Sequence, residues 1–132
     1  MAGKFPGSTL GETLEEIKLS DGGVDLRVRQ NLFPQQFAAD VPRREADLMA
    51  VAQRPITAAA LNEASGVPAW KNLPAYFLIP TADKNIPPAA QDFMAQRAYG
   101  ITVKVAGASH AVLVSEPERT ADLVERAARD TA

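Results

Sequence analysis

His110 is the only histidine in the 132-residue chain. It stands in "VAGASHAVLV", where a β-branched run climbs to a turn of small residues. An imidazole accepts and releases protons near neutral pH. To serve as a general base it needs a carboxylate that fixes its tautomer and stabilises its protonated form. Asp83, in "PTADKNIPP", is the candidate. Each of the two residues follows an apolar run, so the elements around them decide whether they meet.

Those elements read clearly after residue 70. "LPAYFLIP" (73–80) is a short continuous apolar run bounded by prolines, the pattern of a strand buried on both faces. "PPAAQDFMAQRA" (87–98) opens on proline and ends before Gly100, and Ala90, Phe93, Met94 and Arg97 fall on adjacent helix faces. "ITVKVA" (101–106) is a second strand. "SEPERTADLVERAARD" (115–130) reads as a helix opened by a capping box of Ser115 and Glu118, with Ala121, Val124, Ala127 and Ala128 inward and Glu118, Asp122, Glu125, Arg126 and Arg129 toward water. Strand, helix and strand of these lengths make a right-handed βαβ unit with parallel strands. Ligands bind open α/β sheets at the C-terminal ends of the strands. Asp83 and His110 would emerge there from neighbouring loops.

The first 70 residues are more broken. "SDGG" (20–23) is a turn, and "VDLRVR" (24–29) alternates like a half-exposed strand. "FPQQF" (33–37) is a short helical turn. "DVPRREADLMAVAQ" (40–53) reads as a helix with Asp40 as N-cap and Pro42 in its first turn. Its inner side is Ala46, Met49, Ala50 and Gln53. Pro55 opens a second helix that Gly66 and Pro68 close. Helices joined by bends with one exposed strand suit a lid, which gives a division into a cap-like segment, 1–70, and a β-α-β-α segment, 71–132.

Composition narrows the chemistry. The chain is 46% hydrophobic and 23% charged with a net charge of −2, ordinary for a soluble domain and without the basic stripe that nucleic acid requires. No apolar run approaches the roughly 20 residues of a membrane span, and the start lacks the apolar stretch of a secretion signal, so a cytoplasmic protein is expected. With no cysteine and one histidine, disulfides, thiolate chemistry and Cys- or His-rich metal sites are excluded. A carboxylate-only Mg²⁺ or Ca²⁺ site stays open, though no EF-hand spacing occurs. No cofactor is expected.

"PTADKNIPPAAQDFMAQRA" followed by "VAGASHAVLVSEPE" resembles the C-terminal part of the α/β-hydrolase superfamily. There an acid follows the penultimate strand in a loop like G-x-x-D-x-x-[IV]-P, and the catalytic histidine follows the last strand in a loop like G-[AS]-x-H. The resemblance implies Asp83 as triad acid and His110 as triad base; Pro80 or Thr81 stands where a glycine is common. "DGGVDLRVRQNLFPQQFAADVP" looks like the cap of small esterase-like members, the group that includes plant hydroxynitrile lyases and methyl esterases. The fold implied is a partial α/β-hydrolase, a helical cap segment followed by a β-α-β-α unit. The activity implied is attack on an ester or amide carbonyl of a small molecule, with Phe33, Phe37 and Trp70 as candidate linings of an acyl pocket, although such aromatics are more often simply core.

The family's nucleophile sits in a G-x-S-x-G turn between a strand and a helix. No such motif occurs, nor an oxyanion-hole stretch. Ser109 should project away from its neighbour His110, Ser115 is committed to a cap, and Ser8, Ser20 and Ser65 lie in loops without a glycine elbow. Two readings follow. One is the C-terminal part of a serine hydrolase, inactive without its serine half. The other is a non-catalytic binding or assembly module built from hydrolase parts, in which a homodimer or a complementing chain covers the sheet edge. Asp83 also has an ordinary alternative, an Asx-turn or cap before "NIPP".

Overall fold

The computed structural model describes residues 4–132. After a short helix α1 (Leu10–Thr13), strands β1 (Leu14–Lys18) and β2 (Val24–Val28) form an antiparallel hairpin closed by the Ser20–Gly23 turn. Gly22 sits there at φ +87°, and the Gly23 amide donates to Asp21 Oδ1 at 2.9 Å. The register places Leu14 opposite Val28 and Glu15 opposite Arg27. One face therefore carries Leu14, Leu26 and Val28, while Glu15 and Arg27 ion-pair across the other. β3 (Ile56–Thr57) adds a third antiparallel strand beside β2. The first segment thus holds a small sheet rather than one lone strand.

Helix α2 (Phe33–Phe37) and helix α3 (Arg43–Ala52) lie against this sheet, burying Val28, Phe33, Ala38, Val41, Ala46 and Ala50 in one cluster with Ala111. α3 begins two residues later than the sequence suggests, counted from its N-cap. Its N-cap is Pro42, with no side-chain cap, because the residue before a proline is driven out of helical geometry; Asp40 does not cap it. The helix expected from Pro55 also starts late. Ile56 and Thr57, both β-branched, pair with β2 instead, and Thr57 then caps α4 (Ala58–Asn62) by accepting from the Ala60 amide at 3.1 Å.

The second segment has the expected βαβ unit. β4 (Tyr76–Pro80) and β5 (Ile101–Val105) are parallel, joined by helix α5 (Pro88–Arg97). Only Ile79 and Pro80 of β4 are buried; Tyr76, Phe77 and Leu78 are half-exposed, since a two-stranded sheet leaves one edge of β4 open. Helix α6 (Val112–Ser115) precedes helix α7 (Pro117–Asp130). The capping box does not form. Pro117, suited to the first helical position, starts α7 with Glu116 as N-cap, so Ser115 falls in α6 and its hydroxyl is buried without a partner among the described residues. α7 is also rotated from expectation. Leu123 is its buried residue, flanked by half-buried Thr120 and Ala127, whereas Ala121, Val124 and Ala128 are exposed. The Tyr76 hydroxyl donates to Asp130 Oδ2 at 3.0 Å and so fastens this face of α7 to β4.

Candidate active site

Beyond the strand ends the two loops stay zipped together. The Thr81 amide donates to the Val105 carbonyl at 3.0 Å, the Ala82 amide to the Ala108 carbonyl at 3.0 Å, and the Gly107 amide to Thr81 Oγ1 at 2.8 Å. Gly107 makes the necessary bend at φ +76°. This continued pairing brings Asp83 and His110 into register, with His110 Nδ1 2.8 Å from Asp83 Oδ2.

Asp83 is buried and its carboxylate is fully engaged. Oδ1 accepts from the backbone amides of Asn85 at 2.7 Å and Ile86 at 3.0 Å; Oδ2 accepts from Gln91 Nε2 at 2.8 Å as well as from His110. The Asx-turn and the histidine contact are therefore two uses of one carboxylate. Burial pushes its pKa up, but the hydrogen bonds from His110, Ile86 and Asn85 and the imidazole's charge outweigh burial and hold it below the ordinary 3.8. An ionised carboxylate only accepts, so Nδ1 of His110 carries the proton between them, and in the neutral ring Nε2 is the acceptor. The His110 side chain retains 28% exposure, with the Phe37 ring edge-on at 4.5 Å.

α2 ties this pair to the first segment. The Phe37 carbonyl accepts from the Ala111 amide at 3.0 Å and from Ser109 Oγ at 3.2 Å. Buried Gln36 donates to the Lys84 carbonyl at 3.2 Å and to Asn85 Oδ1 at 2.8 Å, and accepts from Thr9 Oγ1 at 2.9 Å. Gln36, Asn85 and Gln91 are the supporting residues that the sequence reading passed over; isolated amides carry no spacing signal. Ser109 is spent on α2, Ser8 donates to the Asn85 carbonyl, and among the described residues no serine hydroxyl bonds to His110. No group of His, Asp and Glu suited to a metal occurs among the described residues.

The structure brings Phe33 and Phe37 to this site, stacked at 4.8 Å along a groove of about 490 Å³ between the hairpin, α2 and α3. Trp70 is not brought there. It lies in a 3₁₀ turn (Ala69–Lys71), under the Arg97 guanidinium at 5.1 Å.

A hairpin-and-helix segment resting on a βαβ unit, with an acid and a histidine on successive strand-end loops, defines an α/β class of protein. The chain belongs to the alpha/beta hydrolase family, whose model matches residues 5–123. Among solved structures it is similar to polyneuridine aldehyde esterase, with a TM-score of 0.73 and 13% identity over 94% of this chain and 52% of that one. A histidine-to-alanine mutant of the same esterase superposes with a TM-score of 0.69 and 11% identity, covering 93% of this chain and 51% of that one. The chain thus spans about half the length of these esterases. No curated protein matches it. No helix among the described residues is long and apolar enough to cross a membrane.

Proposed function

We propose that this chain carries the acid–base half of an esterase-like serine hydrolase acting on the ester or amide carbonyl of a small molecule, and that by itself it is inactive because the nucleophile lies outside it. The observation that carries this reading is the 2.8 Å contact between His110 Nδ1 and an ionised, buried Asp83. A serine hydroxyl brought to Nε2 gives its proton there as its oxygen attacks the carbonyl carbon. Asp83 stabilises the imidazolium, and the same proton passes to the leaving alkoxide or amine as the acyl–oxygen or acyl–nitrogen bond breaks. Water then repeats the sequence to free the acid. Without the nucleophile most of this advantage is absent, roughly 10⁶-fold in a hydrolase of another fold.

A fluorophosphonate probe tests the reading. The chain alone is expected to show no stoichiometric labelling. Labelling that disappears in His110→Ala would mean that a serine within the chain is activated, and the proposal of inactivity fails. Ring ¹⁵N shifts test the dyad itself: in the neutral ring Nδ1 should be the protonated nitrogen, and a neutral ring protonated on Nε2 instead would contradict the assigned roles. The open edge of β4 favours the second reading, an assembly module with a homodimer or complementing chain over that edge. Light scattering separates the two: a well-folded monomer removes the need for a partner.

A further inference from the structure

The groove beside the dyad has a polarity that its apolar walls do not predict. Leu14, Leu26, Val28, Phe33, Phe37 and Met49 form half of its lining, and its volume of about 490 Å³ lies in the range of small-molecule sites. Three polar side chains also border it. Gln53 is spent: its amide accepts from the Val28 N–H at 3.0 Å and donates to the carbonyls of Val28 at 2.7 Å and Ala50 at 2.9 Å. Arg27 is neutralised by Glu15. Arg54, just past the end of α3, makes no hydrogen bond or ion pair among the described residues, so its charge is the one left for a ligand. Phe37, whose ring meets His110, also lines the groove.

We propose that this groove selects an amphiphile with a negative charge: an aliphatic chain along the apolar wall, a carboxylate met by Arg54, and any reacting carbonyl toward His110. The proposal rests on the esterase-like reading only for that last orientation. An exposed guanidinium at a wet rim contributes modestly, so the preference for an anion over a neutral chain should be about fivefold, and it should shrink as salt screens the pair.

Calorimetric titration of the full chain with octanoate and with octan-1-ol tests it. Octanoate should bind about fivefold more tightly; Arg54→Gln should abolish the difference by weakening octanoate alone. Met49→Trp, which fills the groove, should weaken both probes. Neither probe carries an ester or amide, so a failure of the hydrolase chemistry leaves this result standing. Equal affinities, no binding of either probe, or octanoate binding indifferent to Arg54→Gln or Met49→Trp would overturn the assignment.

Discussion

At Asp83 one carboxylate accepts four hydrogen bonds, two from its own loop's backbone, one from Gln91 and one from His110. Removing it leaves buried donors without acceptors, so Asp83→Ala should lower stability by about 3 kcal/mol, and Asp83→Asn by less, about 1–2 kcal/mol. Urea unfolding measures both. The pH dependence has a definite sign. The folded-state pKa lies below 3.8, so the unfolded chain binds the proton more readily; the stabilisation is complete above that value and is lost as pH falls through the depressed folded one. The gap between the unaltered chain and Asp83→Asn should narrow on acidification below 3.8. Asp83 and His110 were legible because strand-end position is written in the apolar runs before them. Gln36 was not: its partners at 84 and 85 lie in a different segment, and only the folded chain brings them together.

Among the elements, α5 ends in a way its sequence disguises. Gly100 looks like the residue in left-handed geometry, but Tyr99 holds it, at φ 51° and almost fully exposed. The Gly100 amide donates to the Ala95 carbonyl at 2.9 Å and the Tyr99 amide to that of Gln96 at 3.1 Å, closing the last turn. Gly100 is needed for space, since a Cβ there would lie 2.5 Å from the Phe77 ring. Tyr99→Gly should therefore stabilise by about 1 kcal/mol, while Gly100→Ala should cost about 1–3 kcal/mol; thermal unfolding decides both. Helices α2, α3, α5 and α7 and strands β2, β4 and β5 came through the sequence with small shifts of boundary. β1 and β3 did not. "LEEIK" has no regular alternation, and a two-residue strand exists only because β2 offers it an edge.

For the molecule as a whole, β4 leaves one edge without a partner strand, as β5 does in the same two-stranded sheet. The Ile101 amide donates to the Ala75 carbonyl and the Thr81 amide to that of Val105, so odd-numbered residues of the strand face β5. The amides of Tyr76 and Leu78 face the other way, and no further backbone bond among the described residues engages them. Hydrogen exchange should find Phe77 and Ile79 protected and Tyr76 and Leu78 fast. Slow exchange at all four would reveal a covered edge and support the assembly reading. The sequence anticipated a strand buried on both faces because apolar composition records what a strand is suited to, whereas exposure depends on which neighbours are present.

The stitching of Phe33–Phe37 to the loops of Asp83 and His110 constrains how a guest arrives. Gln36 grips one loop and the Phe37 carbonyl grips the other, so this turn cannot swing aside like a door without tearing the bonds that align the imidazole. A guest therefore meets walls already set, and it fits the trough as it stands or not at all.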